Sequence, residues 1–199
     1  MGTKYKMTGE TTEVNGHILH RIEALIDIPY AKVKAGDRGG FIESEENLSQ
    51  EGGCWVGDNA QVFRKAHVFA NAQVFGNAQV YDGAKVFDHA RVYDSAKVFG
   101  NARVSEDARV SGNAQVYDSA KVSWYACICD NAVVSGRACV YSKAKVSGLA
   151  WVIDDALVFG NANVFDNAQG FDNAQVFGNA QVFGGARVSG DARVYDVLS

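Results

Sequence analysis

The chain has 199 residues, 47% of them hydrophobic and 21% charged, with a formal net charge of −4. That is enough apolar material for one cored domain with a small appendage, and the acidic balance excludes any global attraction to nucleic acid or an anionic membrane. No apolar run approaches the roughly 18 residues of a membrane span, and the opening MGTKYKMTGETTE has no apolar signal-peptide core, so a cytoplasmic location is expected.

In chain order, residues 1–53 read as a β-hairpin and loop cap. Within TTEVNGHILHRIEALIDI, Asn15-Gly16 stands between two alternating segments, a strong signal for a two-residue type I′ turn. Such an element can cover the open edge of a neighbouring sheet or coil.

Residues 54–199 repeat a six-residue unit. Ala occupies every sixth position from Ala60 to Ala192, 23 in unbroken register, and a valine column runs in step from Val56 to Val194, replaced only at Ile128 and Gly170. Each unit reads Ala, polar, Val, aromatic or Ser, then a turn pair such as Gly-Asn, Asp-Ser or Asp-Asn. Period-two alternation over the first four positions predicts a short strand with Ala and Val on one face, and the turn pair predicts a corner. A helix is excluded, because a six-residue period cannot keep Ala and Val on one helical stripe. With both inside, the units wind into a coil whose hollow they fill. Gly170 predicts a small void or a close backbone approach, and no functional role is assigned to it.

This unit resembles the hexapeptide repeat of the left-handed parallel β-helix proteins, a fold shared by many acyltransferases. The segment VKAGDRGGFIESEENLSQEGGCWVGDNA also resembles the lead-in of uncharacterised bacterial YdcK-like proteins. The resemblance implies an all-β triangular solenoid with three units per coil, residues i and i+18 stacked, and the 24 valine-register positions forming about eight coils. At the ~4.8 Å strand spacing that is a prism roughly 35–40 Å long.

Sorted by that period of 18, one outward face is the least charged, with Phe63, Tyr81, Phe99, Tyr117, Ile153 and Phe171 along it. Two readings of its rings compete: they stack within the chain, or the strip is buried against a partner. Val133, Leu149, Trp151 and Ile153 converge where the repeat is least regular, so this face is the expected interface. Trp124 and Tyr125, a corner pair unlike the others, form a secondary contact site. At the far end ARVYDVLS shows no helix or charged cap, so the C-terminal edge with Val197 and Leu198 is expected either to be shielded by those two residues or to associate end to end.

The column His67, Lys85, Arg103, Lys121 is basic, but corner acids such as Asp82 and Asp88 lie near it, and the array from Cys54 holds 13 Lys and Arg against 14 Asp and Glu. It reads as a solvated face, and nucleic acid is not expected. Cys54, Cys127, Cys129 and Cys139 match no zinc spacing, so no metal is expected. An ice-binding surface commonly needs Thr ladders, and the only threonines are Thr3, Thr8, Thr11 and Thr12.

The resemblance also implies an acyltransferase alternative, with a histidine general base between subunits, a loop thrown out from the coil and a C-terminal helix. This chain has no insertion between residues 54 and 194 and no C-terminal helix signal. Its only solenoid histidines are His89 and His67, the first and second catalytic candidates under that alternative, which alone would call for acetyl-CoA or another acyl-CoA. The expectation is a non-enzymatic, self-associating β-solenoid serving as a rigid protein-binding or scaffolding surface.

Overall fold

The computed structural model describes residues 3–195 and the backbone of Val197–Leu198. Strands β1 (Tyr5–Val14) and β2 (His17–Ala24) form an antiparallel hairpin with Val14 opposite His17. Asn15 (φ 50°) and Gly16 (φ 80°) are both left-handed, as a type I′ turn requires. β2 pairs antiparallel with β3 (Arg38–Ile42), and β3 pairs parallel with Gln61–Val62. The hairpin thus continues one side of the solenoid past its first coil, and buried Ile22, Ala24 and Ile28 close the hollow at its N-terminal end.

Beyond the cap, two-residue strands recur every six residues from Trp55–Val56 to Arg193–Val194. They assemble into three sheets of 11, 9 and 8 strands, giving a triangular, left-handed parallel β-helix. Face 1 carries the Val62 column, face 2 the Val68 column and face 3 the Val56 column. Lys97 pairs with Gln79 and Gln115, Arg103 with Lys85 and Lys121, Arg91 with Gln73 and Arg109, so vertical neighbours are 18 apart on every face. There are about nine coils. The sequence repeat predicts about eight; Ile42 of β3 and Leu48, which bridges to Val68, complete the coil that Val56 ends, and Val197–Leu198 adds a further side at the other end. The alanines from Ala60 to Ala186 are buried together with the valine column, while Ala192 in the last described coil is exposed.

What turns the chain is one left-handed residue per unit. Every sixth residue from Gly52 to Gly190 has φ between +52° and +74°. Glycine accepts this conformation freely, and aspartate tolerates it better than most residues. Each aspartate there also accepts, through Oδ2, the backbone N–H of the residue 18 positions on: Asp58 from Gly76 (2.9 Å), Asp94 from Gly112 (3.0 Å), Asp130 from Gly148 (3.0 Å), Asp172 from Gly190 (3.0 Å). The donor is usually glycine for a steric reason. A Cβ at Gly112 would lie 2.8 Å from the backbone N of Asp130, and one at Gly136 would lie 2.7 Å from that of Asp154. Down the corner before face 1 the result is a strict alternation of Asp and Gly from Asp58 to Gly184.

Gly170 behaves differently. It is buried between Val152 and Val188 of its column, and a Cβ added there meets nothing within 4 Å, so the missing valine leaves a void. Gly170→Val should therefore raise the unfolding free energy by about 1–2 kcal/mol, seen as a higher denaturant midpoint at unchanged slope. Asp130→Ala should lower it by about 1–2 kcal/mol, because a left-handed corner and the bond to Gly148 are both weakened. Asp130→Asn, which keeps an acceptor and tolerates that φ, should cost less than half as much by the same measurement.

Candidate interaction surface

The ring that follows each valine leans on the ring 18 residues away. On face 1 Phe63, Tyr81, Phe99 and Tyr117 form a continuous stack with centroids 5.0, 4.9 and 4.8 Å apart. Face 2 has Phe69–Phe87 (5.0 Å) and Tyr141–Phe159–Phe177 (5.0 and 5.3 Å), and face 3 has Phe75–Tyr93 (5.0 Å) and Phe165–Phe183 (5.2 Å). Offset rings at this spacing add roughly 0.5–1.5 kcal/mol per pair beyond the area they bury. These ladders are thus intramolecular, and their members are half-buried without a partner.

Phe63 requires a correction. It is only 1% exposed, packed with Leu19 of the hairpin and Phe41 of β3, with the His17 ring 5.7 Å away. The cap covers it, so it is no outward contact. Tyr81, Phe99, Tyr117, Val133, Ile153 and Phe171 lie half-buried along face 1, and Arg187 Cζ sits 5.0 Å over the Phe171 ring. The ladder breaks at Ser135, which is buried.

Four side chains of the array stand out into solvent instead: Trp124 (54%), Tyr125 (60%), Leu149 (54%) and Trp151 (48%). Trp151 pairs in register with Val133 and Gln169 on face 1, and Leu149 occupies the corner just before it. Trp124 and Tyr125 occupy the corner at the other edge of face 3, one coil earlier. Trp124 takes the left-handed corner position at φ 60°, where a bulky side chain is strained. Apart from Tyr195, no other large apolar side chain of the described array is exposed. Val197 and Leu198 pair with Gln181–Val182, and their side chains lie outside the described residues.

The histidines have local partners. His89 Nδ1 is 2.8 Å from the Tyr30 hydroxyl and thereby straps the N-terminal loop to a corner. His67 stacks on Phe69 at 4.8 Å, and burial, then the Lys85 charge, hold its pKa below the usual histidine range. The four cysteines are free thiols. Burial pushes Cys129 and Cys139 up, Cys129 also through the Cys127 thiol beside it, so neither is an activated nucleophile.

One constellation has no signature in the sequence. His17 Nδ1 lies 2.8 Å from Glu43 Oε1, Arg64 Nε donates to His17 Nε2 at 3.2 Å, Arg64 N donates to Glu43 Oε2 at 2.6 Å, and Arg64 pairs with Asp82. Because Arg64 donates to Nε2, the imidazole proton sits on Nδ1 and points at Glu43. The four residues come from β2, the end of β3 and the same corner of two successive coils, so nothing in their spacing announces them. The His17 hydrogen bond, then the Arg64 amide, hold Glu43 below the usual carboxylate range. A carboxylate with a depressed pKa stabilises the fold above its unfolded value and loses that contribution as pH falls through the folded one. The wild-type denaturant midpoint should drop on acidification below the ordinary glutamate range. Glu43→Gln should start lower at neutral pH and show a shallower acid limb.

No helix of the described residues is long and apolar enough to cross a membrane. Compared with known proteins, residues 96–112 match the YdcK beta solenoid repeat family, within the stretch where the Ala and Val columns are most regular. No curated protein matches the chain. The chain is thus a parallel β-solenoid carrying, over residues 96–112, a repeat of the YdcK type.

Proposed function

We propose that this protein is a non-enzymatic, self-associating β-solenoid whose rigid side serves as a protein-binding or scaffolding surface. The observation that carries this reading is the exposure of Trp151 and of Leu149 beside it, at the edge of face 1 in an otherwise uniform array; Trp124 and Tyr125, at the opposite edge of face 3 and one coil earlier, are a separate, secondary contact. At most other outward positions of the array stand small polar residues, charged residues or rings that cover one another. Exposed tryptophan and tyrosine are the side chains that most often anchor interfaces. Val133 and Ile153 extend the same patch along face 1. The C-terminal edge with Val197 and Leu198 is the second contact of this proposal.

Under this reading, light scattering on the wild type gives a mass above that of one chain. Trp151→Lys weakens the association by roughly 30-fold or more, as removal of an anchoring aromatic does. An unchanged mass would take the patch out of the interface, and a monomeric wild type would end the self-association reading. Acyl transfer is the competing reading, resting on the fold resemblance alone. A thermal-shift titration with acetyl-CoA separates the two: no stabilisation is expected here, and saturable stabilisation would favour the transferase.

A further inference from the structure

The lowest ring of each aromatic ladder faces the cap, and the three are finished differently. Phe63 is covered by His17 and Leu19, and Phe69 by His67. Phe75, whose upper side stacks on Tyr93, has Gly57 in register beneath it, so the position below holds no side chain. The space in front is a cleft of about 400 Å³, the size range of small-molecule sites, with Trp55 and Phe75 among its walls. Its outer wall is the loop with Ala31 and Val33, held over face 3 by Gln73 Nε2 donating to Tyr30 O (3.2 Å) and by the Tyr30–His89 contact.

The polar lining carries a sign. Asp37 and Asp58 both border the cleft, and one oxygen of each is used within the chain: Asp37 Oδ2 accepts Lys34 N (2.7 Å) and Asp58 Oδ2 accepts Gly76 N (2.9 Å). Arg38 also borders it, but its Nη1 donates to Glu10 Oε2 at 2.8 Å, which offsets the charge. What is left is negative, beside an aromatic wall.

We propose that this cleft binds a small planar aromatic amine, whose ring takes the vacant place under Phe75 and whose ammonium meets the second oxygens of Asp37 and Asp58. Gly57 is what keeps the place open. Its φ is not left-handed, and a Cβ there would make only ordinary contacts, 3.5 Å to Trp55 Cδ1 and 3.6 Å to Phe75 Cβ. A side chain can therefore be built into the site to occupy it.

Tryptamine is the probe, with indole-3-acetate (same ring, opposite charge) and 2-cyclohexylethylamine (same charge, no planar ring) as comparisons. Tryptamine should give a saturable rise in melting temperature, and the other two should give none. Gly57→Phe should abolish the rise while folding with an unaltered β-sheet spectrum. Asp37→Asn combined with Asp58→Asn, conservative at both positions, should weaken tryptamine at least tenfold, and this variant decides the matter if Gly57→Phe does not fold. No shift with tryptamine, equal shifts with all three compounds, or an undiminished shift in either variant would overturn the proposal.

Discussion

A single backbone requirement organises the molecule: one residue in six must adopt the left-handed conformation, and it must do so in every coil at the same height. That residue bends the chain through a corner, and three corners return it above its starting point. Once neighbours are 18 apart, each strand N–H and C=O finds its partner in the coil above or below, and the interior beside each corner has room for little more than a methyl group. Alanine fills that position and valine the centre of each side. Where an aspartate holds a corner, its carboxylate takes the corner amide of the next coil. Glycine recurs above aspartate because a Cβ there would strike the next backbone.

In a stack of nearly identical coils, what distinguishes one height from another is departure from the repeat. The ladders of Phe and Tyr satisfy themselves, which is why aromatic rings at outward positions do not make every face sticky. Their interruptions differ in character. Ser135 and Gly57 break ladders by removing a ring, while Trp124, Tyr125, Leu149 and Trp151 add apolar surface that nothing in the chain covers. Left-handed Trp124 is the clearest case, because it holds a position that glycine or aspartate occupies at lower cost.

The cap works by other means than the array. Array bonds repeat at a separation of 18, whereas the cap is held by unique long-range contacts. Buried Lys4 donates through Nζ to Cys54 O (3.0 Å) and Cys54 Sγ (3.1 Å), and the Tyr5 hydroxyl donates to Leu48 O (2.6 Å). Burial raises the Tyr5 pKa, so that hydroxyl keeps its proton. Asn47, also buried, donates through Nδ2 to Arg64 O and Ala66 O, both at 2.9 Å, and ties the lead-in to the first corners. The His17–Glu43–Arg64–Asp82 chain extends this from hairpin to second coil. These contacts fix the cap over the N-terminal coil.

Much of this was legible in the residues alone. A six-letter period with Ala and Val in step determines a winding with those residues inside, and Asn15-Gly16 determines the hairpin, because both depend on conformational preferences of residues close in the chain. Trp151 and Leu149 could be singled out for the same reason, as departures from a local rule. Tertiary structure alone decided that Phe63 lies under the cap, that His89 straps a loop through Tyr30, that Ile42 and Leu48 complete the first coil, and that Gly57 opens a cleft. Those outcomes depend on where the hairpin and its loop dock, and docking is set by contacts between residues tens of positions apart, which leave no period in the sequence. The Asp–Gly alternation lies between the two: it is written in the chain, but its cause, a carboxylate reaching one coil up and a Cβ that would not fit, exists only once the coils are stacked.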